Sequence, residues 1–293
     1  MTDTSVRTSS ITKRYGTDTA LHNVSISVEP GSVYGLVGPN GAGKTTLLSL
    51  LAGLRRPTSG TLQVTATRLG VLPDTPLFER WLTGREVVAL AHSLAPPGIP
   101  PERIDEVLDA ADLGGAKHRK VGGYSRGMLQ RLGLAATVVA EPDLLLLDEP
   151  AAALDPRGRR EVLDLVTELR GRSTVLFSSH ILDDVEQVCD TIGILAAGEL
   201  VYEGSLERLL AIHGSDRTYR IEADDPVSLR ESLLVEPWVE SARLEGMAIT
   251  VVGTSAPDIR SAVVPFLGST GMEVTAVTPV RRSLEDVFLE VTR

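Results

Sequence analysis

The chain has 293 residues, of which 42% are hydrophobic and 23% charged, close to the usage of ordinary globular proteins. This composition excludes a disordered, collagen-like or coiled-coil chain, and the length allows two domains of about 150 residues each. Asp and Glu number 39 against 29 Lys and Arg, a formal net charge of −10. We therefore expect no nucleic acid partner, because sequence-independent binding to phosphates needs clustered cations.

The single cysteine, Cys189, indicates a reducing compartment because it has no partner for an intrachain disulfide. The first ten residues include Asp3 and lack an apolar core, so they do not resemble a secretory signal. The longest apolar stretches, such as 132–140, are shorter than the roughly 18 residues of a membrane-spanning helix. We expect a cytoplasmic protein that reaches a membrane only through a partner.

Apolar patterning predicts strands that alternate with helices over the first two thirds of the chain. The prolines at 95–102 interrupt one helical region, and Pro101 suits the first turn of the next helix. The predicted elements are strands at 24–31 and 32–38, helices at 47–54 and 101–113, a helix from Arg126, a strand at 143–150, a helix at 157–171 and a strand at 173–180. Such alternation indicates a mainly parallel sheet.

A second, smaller α+β domain is predicted from residue 215 onward, where the elements become shorter. The predicted elements are a strand at 218–223, a helix at 225–234, strands at 239–244 and 248–253, a helix at 256–267, a strand at 272–279 and a helix at 281–291. The β-α-β-β-α-β order of the first six is typical of a ferredoxin-like domain. Because acidic residues outnumber basic ones there, we expect an accessory domain rather than a nucleic-acid module.

The strongest chemical signal is GPNGAGKT at 38–45, which fits the phosphate-binding pattern G-x-x-x-x-G-K-[ST] between a strand and a helix. Its glycines allow a tight turn with the backbone N–H groups pointing inward, toward an anion at the helix N-terminus. We expect Lys44 to bind the outer phosphates and Thr45 to place its hydroxyl on Mg²⁺. The predicted nucleotide-binding residues of this loop are Gly38, Pro39, Asn40, Gly41, Ala42, Gly43, Lys44, Thr45 and Thr46.

Two acidic residues follow the apolar run LLLL at 144–147. Asp148 ends the predicted strand and is a candidate Mg²⁺ ligand of a P-loop ATPase. Glu149 is its immediate neighbour, and adjacent side chains at a strand end diverge. One acid is therefore expected to face the metal, while the other faces a water molecule near the terminal phosphate.

The segment YSRGMLQR at 124–131 resembles the signature sequence of ATP-binding cassette (ABC) proteins, usually LSGGQ, and retains Ser125 and Gly127. Apart from this resemblance, Ser125 is a favoured N-cap, and the helix that it starts offers backbone N–H groups to an anion. The sequence departs from the family pattern at Arg126 and Met128, which replace the second glycine and the glutamine. Both replacements leave Ser125 and the Gly127 N–H group in place.

Further motifs resemble those of the family and occur in its order. AALDP at 152–156 resembles the loop after the catalytic glutamate, His180 the switch histidine that contacts the γ-phosphate, and Tyr15 the aromatic that stacks on adenine. Asp74 stands where the family generally has glutamine; it is a candidate Mg²⁺ ligand, although its charge repels phosphate. The tail at 283–292, SLEDVFLEVT, resembles the ATPase subunits of multidrug or daunorubicin-type exporters, whose membrane protein is a separate polypeptide.

The resemblance implies an α/β fold in two parts. Residues 1–214 are expected to form a P-loop ABC ATPase domain with a mainly parallel sheet and a helical insert at about 75–123. Residues 215–293 are expected to form the small C-terminal domain.

The resemblance also implies a mechanism and partners. Two copies of the chain are expected to enclose two Mg·ATP head to tail, each site using Lys44 of one copy and Ser125 of the other. Hydrolysis by water, oriented by Glu149 and His180, resets this homodimer. The dimer is expected to power an exporter from the inner face of the cell membrane, through a separate integral-membrane permease that contacts the helical insert.

Two other classes of function are alternatives. A soluble ABC ATPase acting on nucleic acid, ribosomes or cofactor assembly is disfavoured by the single cassette and the lack of a heptad arm or a basic patch. A P-loop kinase is disfavoured by the signature and by the Asp-Glu pair. The exported compound is not encoded in this chain, since substrate contacts lie in the membrane partner, and export rather than import rests on the resemblance of the tail.

Overall fold

The computed structural model describes residues 5–213, 217–280 and 288. Tertiary contacts divide the chain into two compact units, the first ending at Leu206 and the second beginning at Glu207. The sequence pattern predicts this division after residue 214. The assignment of 1–214 to an ATPase domain and of 215–293 to an accessory domain stays a prediction. No helix of the described residues is long and apolar enough to cross a membrane.

The first unit contains strands, α-helices and two short 3₁₀ turns at Gly114–Ala116 and Val121–Gly123. Its elements are β1 (Val6–Tyr15), β2 (Asp18–Val24), β3 (Ser27–Val28), β4 (Val33–Val37), α1 (Lys44–Leu51), β5 (Ser59–Val64), β6 (Leu69–Leu72), α2 (Gly84–Ser93), α3 (Arg103–Ala110), α4 (Arg126–Val138), β7 (Leu144–Asp148), α5 (Pro156–Leu169), β8 (Thr174–Ser179), α6 (Leu182–Val188), β9 (Thr191–Ala196) and β10 (Glu199–Gly204).

A six-stranded sheet in the order β10-β9-β4-β8-β7-β6 forms the centre of this unit. Neighbouring strands of this sheet pair in parallel, except β10, which is antiparallel to β9. The predicted mainly parallel sheet is therefore confirmed. Strands β4, β7 and β8 are buried along their whole length, as expected for apolar strands covered on both faces. Val37 pairs with Ser179, and Asp148 with Ser178, so the carboxyl ends of these three strands lie side by side.

The first unit has a second sheet, which is antiparallel and contains β2, β1 and β3, with β5 paired to β1. The sequence pattern does not predict this sheet. The strand predicted at 24–31 is wrong in extent, since β2 ends at Val24 and β3 covers only two residues. Asn23 adopts a left-handed backbone (φ 55°). The Ser10 backbone N–H donates to the side chain of Ser25 and not to a backbone carbonyl, so the ladder of backbone hydrogen bonds is interrupted here. The alternating pattern therefore spans a bend between two strands.

Helix α1 packs between the two sheets and supplies much of their shared core. Its buried Leu47, Leu48, Leu50 and Leu51 join apolar residues of β1, β4, β7, β8 and β9 in one cluster. Each such leucine contributes about 1.5–3 kcal/mol through burial. The helix begins at Lys44, three residues before the predicted start at 47, so the phosphate-binding pattern leads directly into it.

Helices α2, α3 and α4 pack on one another and form a helical lobe. Helix α2 begins with a capping box in which Glu86 N donates to Thr83 Oγ1 and Thr83 N donates to Glu86 Oε2. The helical insert predicted at about 75–123 therefore shares its packing with α4, which lies beyond that range.

The second unit follows the predicted β-α-β-β-α-β order. Helix α7 (Leu206–His213) leads into β11 (Thr218–Ala223), α8 (Pro226–Leu234), β12 (Val239–Glu245), β13 (Ala248–Gly253), α9 (Ala256–Thr270) and β14 (Val274–Pro279). The strands form an antiparallel sheet in the order β12-β13-β11-β14, with a core that includes Ile221, Leu229, Val251 and Ile259. The helix predicted at 281–291 lies outside the described residues, except Phe288, which is helical.

Asp143 fixes the start of β7 against the start of β6. Its carboxylate accepts hydrogen bonds from the Arg68 side chain, from Thr67 Oγ1 and from the Arg68 backbone N–H. These donors, with the Arg68 guanidinium first, lower the pKa of Asp143 to about 2. The bonds hold the segment that leads into the site-bearing end of β7.

We expect Asp143→Asn to lower the free energy of unfolding by about 1 kcal/mol at pH 7. This is less than the pKa shift alone implies, because the Arg68 and Asp143 side chains are 40% and 35% exposed and solvent screens the pair. The folded pKa lies below the ordinary value of 3.8. The stabilisation is therefore present above about pH 4 and fades as the pH falls toward about 2. Urea unfolding of both proteins across this pH range measures the difference. An equal loss at every pH would contradict the assignment.

Candidate nucleotide-binding site

The loop between β4 and α1 turns tightly because three of its positions exclude a side chain or favour glycine. A Cβ added at Gly38 would lie 2.3 Å from Leu195 O, and one at Gly43 would lie 2.6 Å from Ala20 O. Gly41 and Gly43 have positive φ angles of 84° and 107°, which L-residues rarely adopt. The loop therefore lies close against neighbouring backbone and delivers the chain into α1 at Lys44.

Lys44 is buried, and its ammonium group is held inside the loop. Its Nζ donates to Gly38 O at 2.7 Å and lies 3.3 Å from Glu149 Oε1. Both side chains of this ion pair are nearly inaccessible, 7% and 12% exposed, so solvent screens their attraction weakly. The sequence-predicted cation and the sequence-predicted base are thus in direct contact.

The two acids at the end of β7 have different partners. Asp148 is buried, and its Oδ1 accepts a hydrogen bond of 2.6 Å from the Ser178 hydroxyl. Glu149 has a left-handed backbone (φ 49°), which costs about 1–2 kcal/mol for a residue with a Cβ and must be held by its surroundings. Its carboxylate reaches Lys44 on one side and His180 Nδ1, at 2.8 Å, on the other.

One cavity of about 370 Å³ gathers most of the predicted site. It is bounded by the β4–α1 loop and by residues that follow β6, β7 and β8, since these parallel strands end at the same edge. Its lining residues are Ala20, Pro39, Asn40, Gly41, Ala42, Gly43, Lys44, Thr45, Thr46, Asp74, Asp148, Glu149, Ala152 and His180. Sequence reasoning missed Ala20 and named Ala152 only as the first residue of AALDP at 152–156; neither side chain has a polar group that would have singled it out as a site residue.

Four predicted residues do not line this cavity. Gly38 lies at the base of the loop, where its carbonyl binds Lys44. Tyr15, at the end of β1, is 39% exposed and lies near the cations of Lys13 and Arg55. The other two, Ser125 and Gly127, lie on a different surface of the chain.

Ser125 and Gly127 line a separate surface cleft, together with Ala153, Leu154 and Asp155. Ser125 is the N-cap of α4, as predicted, and its side chain accepts a hydrogen bond from Met128 N at 3.2 Å. Arg126 is exposed, and Met128 Sδ contacts the Arg119 guanidinium. Within one chain, the signature and the cavity are therefore distinct surfaces.

One side of the cavity has side-chain oxygens that suit a magnesium ion bound to the phosphates of a nucleotide. The Thr45 hydroxyl and the carboxylates of Asp148 and Asp74 are oxygen donors, the class that Mg²⁺ prefers. Among the residues that the structure describes, no three His, Cys, Asp or Glu side chains are placed to hold a metal on their own. The donor set fits an ion that keeps several waters and takes further ligands from a substrate.

Strand, glycine loop and helix, with two acids at the end of another parallel strand of the same sheet, define the class of P-loop nucleotide hydrolases. Comparisons with known proteins narrow this class. Residues 21–152 match the family model described as ABC transporter. An uncharacterized ABC transporter ATP-binding protein of Bacillus subtilis (strain 168) is 38% identical, over 96% of this chain and 97% of the relative. A daunorubicin resistance ATP-binding protein of Streptomyces coeruleorubidus is 35% identical, over 100% and 97%.

Solved structures agree with these relatives. A structure described as the ATP binding subunit of an ABC transporter matches 72% of this chain and 93% of its own, with a TM-score of 0.67 and 25% identity. A dimeric ATP-binding cassette bound to ADP and Pi matches 69% and 98%, with a TM-score of 0.64; at 24% identity this likeness supports the fold alone. The chain belongs to the ABC transporter family, and it is an ATP-binding, ATP-hydrolysing subunit.

We expect Gly43→Ala to destabilise the loop more than Gly41→Ala. Both positions have a positive φ angle, but a Cβ at Gly43 would overlap the Ala20 carbonyl, whereas nothing lies within 4 Å of one at Gly41. Gly41→Ala should cost about 1 kcal/mol through backbone strain alone, and Gly43→Ala at least about 2 kcal/mol. Thermal unfolding of the two variants measures the difference; equal melting temperatures would contradict the close approach.

Proposed function

We propose that this chain is the ATPase subunit of an exporter, that two copies share two ATP sites, and that a separate integral-membrane permease carries the substrate. The observation that carries the proposal is the single cavity in which Lys44, Thr45, Asp148, Glu149 and His180 come together. Related chains support the exporter role. They include the daunorubicin resistance protein and a bacitracin transport ATP-binding protein of Enterococcus faecalis, 35% identical over 73% of this chain and 72% of its own.

Nucleotide binding depends on charge and backbone geometry at the loop. Lys44 and the N–H groups at the start of α1 bind the outer phosphates of ATP, and the adenine stacks on Tyr15. Thr45, Asp148 and Asp74 hold Mg²⁺ with the phosphates; the ion neutralises phosphate charge. Glycines at the loop allow the phosphates to approach the backbone closely.

Glu149 is the base that accepts the proton of the attacking water. In the structure its carboxylate is shared between Lys44 and His180. When the phosphates of ATP bind the Lys44 ammonium group, the Glu149 carboxylate keeps its contact with His180. Its other oxygen, which had contacted Lys44, is then free to accept a proton from the water. His180 thus orients the base and, being half exposed, also faces the γ-phosphate.

The signature supports the two-chain arrangement, because its Ser125 and Arg126 are exposed and it lies apart from the cavity of its own chain. Ser125 and Gly127 start α4, whose N-terminal N–H groups suit a phosphate of the ATP bound by the other copy. Each site then needs both copies, and ATP closes the dimer. The permease contacts the helical lobe, which places the complex on the inner face of the cell membrane.

We expect Lys44→Ala to weaken ATP binding about 10–100-fold, because a buried, charge-assisted contact to the phosphates is lost. Equilibrium binding of a fluorescent ATP analogue with Mg²⁺ measures the change. Lys120→Ala is the matched control, since Lys120 is exposed and outside the cavity. Undiminished affinity in Lys44→Ala would remove this loop from the mechanism.

We expect Glu149→Gln to bind ATP but to hydrolyse it about 10²–10⁴-fold more slowly, because the amide keeps the shape and loses the base. The variant should accumulate as an ATP-dependent dimer. Size exclusion with light scattering reports the mass, and Glu168→Gln, an exposed glutamate on α5, is the control. A variant that loses hydrolysis yet stays monomeric with saturating Mg·ATP would contradict the shared sites.

A further inference from the structure

Ser178 was not singled out by sequence reasoning, yet it touches both acids of the site. It lies on β8 directly beside Asp148 of β7, and it is fully buried. Its hydroxyl donates to Asp148 Oδ1 at 2.6 Å and accepts the Glu149 N–H at 2.9 Å. One small hydroxyl thus connects the candidate metal ligand and the candidate base.

These two bonds determine which way each acid is presented. A serine hydroxyl has one proton, and here that proton is committed to Oδ1 of Asp148. Within the described part of the chain, Oδ2 carries no hydrogen bond, so this oxygen is available to a ligand in the cavity that Asp148 lines. Donation to an ionised carboxylate is among the stronger hydrogen bonds, and burial shields it from water.

The backbone of Glu149 is held at the same point. Its left-handed conformation needs support from its surroundings. Ser178 accepts its N–H, and Gln130, a buried residue of α4, lies with Nε2 at 3.4 Å from its carbonyl oxygen. Of these two contacts, the one to Ser178 is shorter and belongs to the residue that also orients Asp148.

We propose that Ser178 is a positioning residue for Mg·ATP hydrolysis: its hydroxyl aims Asp148 Oδ2 at the metal and holds the turn that aims Glu149 at the attacking water. The inference rests on the proposed roles of Asp148 and Glu149. It goes beyond them in assigning their relative orientation to one hydroxyl on the neighbouring strand. Partners of this kind commonly change metal affinity or activity about 10–100-fold when removed.

Ser178→Ala removes the hydroxyl without adding volume, and Ser178→Thr restores a hydroxyl at the same position. Ser173→Ala is the matched control, since Ser173 is a buried serine just before the opposite end of β8 and its hydroxyl donates to Pro142 O, far from both acids. Melting curves first establish that each variant is folded. Should Ser178→Ala fail to fold, Ser178→Cys, with a weakly donating thiol, takes its place.

The first measurement is equilibrium binding of a fluorescent ATP analogue, in EDTA and across a Mg²⁺ titration. Ser178→Ala should match the parent protein in EDTA and need about 10-fold more Mg²⁺ for half-maximal enhancement of binding. Ser178→Thr should recover at least part of this loss, and Ser173→Ala should show none. An unchanged Mg²⁺ requirement in Ser178→Ala, or an equal change in Ser173→Ala, overturns the inference.

The second measurement is steady-state hydrolysis at saturating Mg²⁺. Ser178→Ala should lower kcat about 10-fold or more while KM for ATP stays within about twofold, because the base and not the phosphate cradle is misaligned. A rise in KM with unchanged kcat overturns the assignment.

A double-mutant comparison separates this inference from the function on which it rests. Adding Ser178→Ala to Asp148→Asn should cause no further change in the Mg²⁺ dependence of binding, because Ser178 acts on the metal through Asp148. An additional loss in the double variant overturns this route. If Asp148→Asn alone leaves the Mg²⁺ dependence unchanged, the proposed metal role of Asp148 fails, whatever the Ser178 variants show.

Discussion

The parallel pairing of β4, β8 and β7 is the constraint on which the rest of the site depends. It brings the carboxyl ends of the three strands to one edge, where the glycine loop, the acids and His180 follow directly. The hydrogen bonds of the ladder fix which residues stand opposite one another, here Val37 with Ser179 and Asp148 with Ser178. The packing that stabilises the first unit therefore also sets the relative positions of its polar residues.

Charge is concentrated at this edge and is balanced locally. Lys44 is buried, but the Gly38 carbonyl and the Glu149 carboxylate offset the loss of its hydration. Glu149 has a second partner in His180. An entering anion therefore competes with a carboxylate that is already in place, and phosphate binding and the release of the base become one event in the proposed mechanism.

Several residues at the site are held in conformations that are unfavourable alone. Glu149, Gly41 and Gly43 have positive φ angles, and the loop approaches the Ala20 and Leu195 carbonyls too closely for a Cβ. Hydrogen bonds with Ser178 of β8 and Gln130 of α4 support the backbone conformation of Glu149. Such support gives the site a fixed geometry before substrate binds, which lowers the cost of ordering it at each turnover.

The sequence by itself determined the P-loop, the acid pair, the N-cap at Ser125, the mainly parallel sheet and the order of elements in the second unit, because these follow from local spacing and periodicity. Only the tertiary structure decided that 24–31 bends into two strands, that α1 starts at Lys44, and that α4 joins the helical lobe. Contacts between Ser178 and Asp148, or Lys44 and Glu149, join residues distant in sequence. Their geometry depends on strand register, which no local pattern encodes.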